Sequence, residues 1–399
     1  MSEYLSFYAG EKAFSVIRER GLTQDMVNVV SGAAGGPKWL IMGALDRFLF
    51  GEWFQKRSEP LFLAGSSAGA WRFAAVSQKK PVKAIKRLTH AYVNQWYPAR
   101  PSMERVDSEC KKIIDSFIDK SALTEIFNHP FCRPAFFSVH SKWPVQSDNK
   151  VILSAGMAGA AIVNLFDRNL LKHFFTRTLF YHPSDTPPFY NMNDMPMQRV
   201  ALTSDNFKKA LLSSGSIPLL MPGVGGISGA VDGIYRDGGV IDYHLDIPFS
   251  GYLKSDQIFR RAKNNPVSRE LIHNEEHGQL LSDLSRLNKI SASEQVVLFP
   301  HYTDRVVPGW LDKGLPWRKP HREYFSNVLM IVPSRKFLNM LPGKKIPDRG
   351  DFSLFKGKNR KRIEQWNIAL KYSEILGEEL CRIFNSGTLR SIINPLGLI

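Results

Sequence analysis

Two short apolar runs, each entering a glycine-rich turn that opens a helical pattern, restrict this chain more than any other feature. Met26–Val30 leads into Ser31-Gly32-Ala33-Ala34-Gly35-Gly36-Pro37-Lys38, and Leu61–Ala64 leads into Gly65-Ser66-Ser67-Ala68-Gly69. Short apolar runs bounded by turn signals read as buried strands. A buried strand that passes straight into a helix must share its apolar faces with further strands and helices, so an α/β layered fold is expected. The pattern also predicts an opening helix that ends at Gly21 and a helix from about Trp39 to Phe50. Helices are expected over 82–97, 104–127 and Phe207–Leu212, with a closing helix from Arg362 to Ile383. Phe136–Val139, Val151–Ser154, Val296–Phe299 and Val328–Val332 read as strands.

With 399 residues the chain exceeds what one small core needs, so a large domain with an extension, or two domains, is expected. Three cysteines without a C-x-x-C pair argue against a disulfide scaffold or a thiolate zinc site. The opening residues carry Glu3, Glu11 and Lys12 where a secretory signal needs an unbroken apolar stretch. The uncharged run from Val151 to Phe166 is too short to span a bilayer comfortably, and the one between Lys209 and Asp232 is broken by prolines and glycines. A cytoplasmic protein, at most peripheral to a membrane, is the expectation; export without a signal peptide stays open.

Charge is unevenly spread. The net charge is +16, and from Lys313 to Arg362 there are 14 Lys or Arg against three acids. Such a segment attracts polyanions, either an anionic membrane or a nucleic acid. Trp317, Tyr324, Phe325, Phe352 and Phe355 are interleaved with these cations, as at a bilayer interface. An anionic membrane surface is the expected partner. No nucleic-acid-binding module is recognisable.

Three motifs carry chemistry. Gly65–Gly69 fits G-x-S-x-G, in which a serine on a tight strand-to-helix turn projects its Oγ beside the free amides of a helix start. The Gly32–Lys38 loop offers amides to an anion but fits neither nucleotide fingerprint. Asp237-Gly238-Gly239 places a carboxylate where the backbone can turn sharply.

Together these elements resemble the patatin-like phospholipase family. That family has a glycine-rich oxyanion loop, a G-x-S-x-G serine and an Asp-Gly-Gly aspartate in this chain order, and uses a Ser–Asp dyad without histidine. Ala210-Leu211-Leu212-Ser213-Ser214-Gly215-Ser216-Ile217-Pro218 is similar to the family's stretch before the aspartate, and Pro222 and Tyr235 fall at matching places. The resemblance covers residues 25 to 250. It implies a patatin-like layered fold with a central, mostly parallel sheet, and leaves 251–399 as a C-terminal extension packed on the catalytic domain. It further implies catalytic Ser67 and Asp237, an oxyanion hole at Gly35 and Gly36, and neither metal nor organic cofactor. The implied activity is a lipid acyl hydrolase of phospholipase A or lysophospholipase type. Two departures stand out. Ala34 and Trp39 occupy glycine positions of the family's loop, and the proline after the aspartate is delayed to Pro248.

Other readings compete. His273-Asn274-Glu275-Glu276-His277 fits a zinc-protease pattern, although the histidines also continue into a leucine stripe. His244, His301 or His321 could complete a serine triad. The non-enzyme alternative is a catalytically idle protein that binds membrane lipid or nucleic acid through residues 313–362.

Overall fold

The computed structural model describes residues 2–249 and 295–397. Its centre is one ten-stranded sheet in the order β10-β1-β9-β8-β2-β3-β4-β5-β6, with β7 on β4. The strands are β1 Leu5–Ala9, β2 Val27–Gly32, β3 Leu61–Ser66, β4 Cys132–Ser141, β5 Phe175–Tyr181, β6 Met197–Ala201, β7 Ile234–Asp237, β8 Val296–Pro300, β9 Val328–Pro333 and β10 Asn394–Pro395. Pairing is parallel through β9-β8-β2-β3-β4, and antiparallel where β4 meets β5 and β7 and where β1 meets β9. The chain is thus an α/β protein with a mostly parallel, mixed sheet flanked by helices. Every residue of β8 and β9 is buried, which is why both read as unbroken apolar runs rather than alternating ones.

A boundary near residue 250 does not divide this sheet. β8 lies between β2 and β9, and β1 at the chain start pairs with β9 and β10. The last hundred residues therefore build the same layer as the glycine-loop strands.

The helices that matter for the site are α1 Glu11–Arg20, α2 Gly43–Phe48, α3 Ala68–Val76, α4 Pro81–Val93, α5 Met103–Phe117, α6 Lys120–Phe127, α7 Lys150–Phe166 and α8 Phe207–Ser214. A long helix, Asn359–Ser386, closes the chain's packing against α2. Two sequence expectations change. Val151–Ser154 is the first turn of α7, not a strand. The Asn149 side chain accepts from the Val151 and Ile152 amides, and that cap outweighs the β-branched residues. The helix expected over 104–127 is two, because Ile118 is extended and the Asp119 carboxylate caps α6 through the Ala122 amide.

Among the described residues, no helix is long and apolar enough to cross a membrane. The zinc-like His273–His277 pattern lies outside them. Of the aromatics in the basic segment, Trp317 is exposed, Phe325 is buried in the core, and Tyr324, Phe352 and Phe355 are half-buried.

Candidate active site

Ser67 stands between β3 and α3 with φ 53° and ψ −119°. A non-glycine residue in that region costs energy of order 1–3 kcal/mol and persists only where its surroundings impose it. Here they do. A β-carbon at Gly65 would come within 2.6 Å of the Ala70 backbone, and one at Gly69 within 1.9 Å of the Gly32 carbonyl. Both motif glycines are therefore required for α3 to close onto β2 and β3. The Ser67 amide donates to Ser214 Oγ at 2.9 Å, and that hydroxyl donates to the Phe137 carbonyl at 2.7 Å. One residue of the Ala210–Pro218 stretch thus pins the strained turn to β4.

Asp237 reaches the serine through β4. β3 pairs with β4 up to Ser66 opposite Phe137, and β7 pairs from Ser141 down to Ser138 opposite Asp237. Since β5 occupies the other edge of β4, β3 and β7 share one edge and run toward each other. Their C-terminal ends meet there. Ser67 Oγ donates to Asp237 Oδ2 at 2.7 Å, the Gly239 amide donates to Oδ1 at 2.7 Å, and the Asp237 amide donates to the Ser216 carbonyl at 2.9 Å. Burial pushes the Asp237 carboxyl up to about 6, against the opposing pull of the Ser67 hydroxyl, the Gly239 amide and the cations Arg349 and Lys313. At neutral pH it is an ionised acceptor holding a serine proton.

The glycine loop is held from behind. The Tyr302 hydroxyl donates to the Ala34 carbonyl at 2.6 Å and sits 2.7 Å from His244 Nε2. His244 Nδ1 accepts from the Val307 amide at 2.9 Å, so Nε2 carries the ring proton and donates to Tyr302. Burial holds His244 neutral, well below its ordinary range. The Ala34 amide donates to the Tyr243 carbonyl at 2.9 Å. In a trans peptide the N–H points opposite to the C=O. The bond to the Ala34 carbonyl therefore turns the Gly35 amide away from Tyr302, and Gly35 lines the cleft that holds Ser67 and Asp237. Pro37 has no N–H, which leaves Gly35 and Gly36 as the loop's donors beside the serine.

The cleft is also lined by Ile217, Pro218, Tyr243, Trp310 and Arg349. It opens into a cavity of about 620 Å³ that Ser67 and Gly36 border as well. Trp71, Tyr97, Leu220, Met221 and Phe352 form much of its wall.

None of the candidate triad histidines bonds Ser67 or Asp237. His244 has both nitrogens engaged elsewhere, His301 Nδ1 lies against Thr303, and His321 Nδ1 lies 2.9 Å from Asp246 Oδ2. The Asp237–Pro248 segment, which departs from the family pattern, is held by buried pairs. Arg177 binds Asp242 with two bonds of 2.7 and 2.8 Å. No protein-family model matches this chain, and no curated protein matches it.

Motif reading brought together Ser67, Asp237, Gly35 and Gly36, which the fold places in one cleft. It missed Tyr243, six residues after Asp237, and Tyr302, Trp310 and Arg349, which join the site from distant segments and carry no spacing signal. Of the basic segment 313–362, Arg349 lines the cleft, and Phe352 and Arg362 line the cavity wall.

Proposed function

We propose that this chain is a serine carboxylic-ester hydrolase acting on lipids, of the patatin-like kind that its motifs resemble. The observation that carries the reading is the 2.7 Å bond from Ser67 Oγ to Asp237 Oδ2, made at a strained turn beside free amides and opening into an apolar cavity. A cavity of about 620 Å³ falls within the range of small-molecule pockets and suits an acyl chain.

Asp237 takes the Ser67 proton as Oγ attacks the ester carbonyl. The amides of Gly35 and Gly36 bind the oxyanion of the tetrahedral intermediate. Collapse expels the alcohol, which receives its proton from Asp237 and leaves acyl-Ser67. Asp237 then draws a proton from a water molecule as that water attacks the acyl carbonyl, and a second collapse breaks the bond to Ser67, whose Oγ takes the proton back from Asp237 as the fatty acid leaves.

The membrane partner is supported by α7. This uncharged-core helix turns Val151 (78% exposed), Ile162, Leu165 and Phe166 (82% exposed) to solvent, and the neighbouring Trp143 is 65% exposed. A contiguous apolar helix face with exposed Lys150 at its start and Lys172 just beyond its end has the character of an interfacial helix. Leu219 and Trp310, which border the cavity, pack against the cluster under the buried side of α7, so the helix that carries the exposed face is joined to the cavity wall through that cluster. The reading is tested by fluorophosphonate labelling of Ser67 and by hydrolysis of a panel of lipid esters. An unlabelled, inactive but folded protein would leave the idle-binder alternative.

A further inference from the structure

Arg349 brings a positive charge into a cleft that has almost no spare room. Among the described residues it is the only cation lining the space around Ser67, and Asp237 is the only carboxylate there. That space measures about 20 Å³, room for one water molecule. A charged atom formed in it therefore lies against the residues of the wall.

Packing, not an ion pair, places the half-buried Arg349 side chain. A β-carbon at Gly36 would stand 3.1 Å from its Cγ and 3.5 Å from its Cδ, so the stem lies on the glycine loop. The guanidinium carbon sits 5.6 Å from the centre of the Trp310 ring, another wall of the cleft. Among the described residues, the guanidinium has no hydrogen-bond or ion-pair partner. Neighbouring Asp348 is engaged by Lys345 Nζ at 3.1 Å and the Gly350 amide at 2.7 Å, and Asp351 by Lys345 Nζ at 2.6 Å and Trp366 Nε1 at 2.8 Å. Ser67 and the Gly239 amide occupy the two oxygens of Asp237.

The glycine loop itself is short of donors. Pro37 has no N–H, and the Lys38 amide turns back to the Gly35 carbonyl at 3.5 Å. When Asp237 takes the serine proton, negative charge leaves that carboxylate and appears on the ester oxygen beside Gly35 and Gly36. A cation packed on the loop and unpaired with Asp237 is attracted more strongly after this transfer than before it. Such a difference is what lowers a barrier.

We infer, resting on the ester-hydrolase reading, that Arg349 is a third catalytic residue whose guanidinium contacts the tetrahedral oxyanion alongside the Gly35 and Gly36 amides. Its N–H groups are permanently charged, planar donors, and one of them stands in for the donor that Pro37 cannot supply. Arg349 gives up no proton and forms no covalent bond. The dyad carries out every bond change, and Arg349 holds the charge that the first of them creates.

The test is steady-state kinetics on neutral, soluble, short-chain esters that share an acyl group and differ in leaving group, one a phenol and one an alkyl alcohol. Arg349→Gln should lower kcat about a hundredfold on both, with KM little changed, and weaken a tetrahedral phosphonate inhibitor in parallel. Arg349→Lys, which keeps the charge but loses the fork, should fall between. Both variants should unfold close to wild type, since no hydrogen bond or ion pair is lost. In Arg349→Ala, added methylguanidinium should restore part of kcat, and methylammonium less.

The pH profile is a second readout. Burial raises the Asp237 carboxyl to about 6 while Arg349 and Lys313 oppose the rise, and Tyr243 is the other titratable group in the cleft. Loss of the Arg349 charge should therefore move the midpoint of kcat/KM upward. Unchanged kcat in Arg349→Gln, or a loss in KM alone, overturns the assignment while the hydrolase reading stands. A loss confined to the alkyl ester places the guanidinium on the leaving alkoxide, and overturns the oxyanion contact. A wild type that cleaves neither ester and takes no phosphonate overturns both readings.

Discussion

Tyr302 and Ala34 are 268 positions apart in sequence, yet the 2.6 Å bond between the tyrosine hydroxyl and the alanine carbonyl sets the direction of the Gly35 amide. Tyr302→Phe removes that bond but keeps the ring that packs on Gly35. We expect kcat to fall by about tenfold or more with KM little changed, since a loosened oxyanion donor is felt mainly in the transition state. Affinity for a tetrahedral phosphonate inhibitor should fall in parallel. A fall in thermal stability with kcat unchanged would reduce Tyr302 to a packing role.

Ser67→Ala and Asp237→Asn should each abolish ester hydrolysis in a folded protein. Because the two side chains act as a unit, the double variant should be hardly worse than either single one. Steady-state kinetics with a soluble chromogenic ester measure this, and substantial activity in either single variant would exclude the dyad.

Asp237 must be ionised to accept the serine proton, so kcat/KM should fall with decreasing pH through about 6, approaching tenfold per pH unit below it. Stability runs the opposite way. The folded carboxyl keeps its proton up to about 6, whereas the unfolded one releases it near 3.8, so the folded state binds more protons between these values. Rising pH through that window therefore costs wild type about 3 kcal/mol relative to Asp237→Asn. Urea unfolding of both proteins at a series of pH values measures the difference. A constant gap from acid to neutral pH would contradict it.

Ile162→Ser together with Phe166→Ser should weaken binding to anionic vesicles severalfold or more, because both side chains leave an exposed apolar face. Hydrolysis of a short soluble ester should fall far less. Co-sedimentation with vesicles measures the first effect, and unaltered sedimentation would remove α7 from the membrane contact.

Arg177 is fully buried between Asp242 and Asp194. Arg177→Met leaves the buried Asp242 carboxylate without its partner and should destabilise the fold by about 3–5 kcal/mol. Denaturant unfolding measures the loss, and a change under about 1 kcal/mol would mean the segment after Asp237 is held by its apolar neighbours instead.

What could be read from the chain alone was short-ranged. Strand, glycine turn and helix follow one another within about fifteen residues at both Gly32–Lys38 and Gly65–Gly69, so steric limits on the backbone and the burial of neighbouring apolar residues are already present in the local pattern. The need for a small residue at Gly65, whose β-carbon would meet the Ala70 backbone, belongs to that level, whereas the need at Gly69 arises from the Gly32 carbonyl on β2. Local pattern also misled. Val151–Ser154 has strand residues, and only the reach of the Asn149 side chain to two amides makes it a helix.

Everything that turns a serine motif into a site depended on contacts between distant segments. Ser67 and Asp237 meet because β3 and β7 end against each other on one edge of β4, a consequence of strand order that no spacing encodes. Tyr302 reaches the glycine loop because β8, which ends at Pro300, lies beside β2. The positive charge of residues 313–362 was plain in the sequence, but a count of cations has no direction. Packing of Arg349 on Gly36 sends one of those charges into the cleft, while Lys356, Lys358 and Arg360 remain in solvent. Sequence determined which chemical groups exist and the local turns that present them. Tertiary structure decided which of them share a cleft, because strand pairing and burial act between residues that the chain itself keeps far apart.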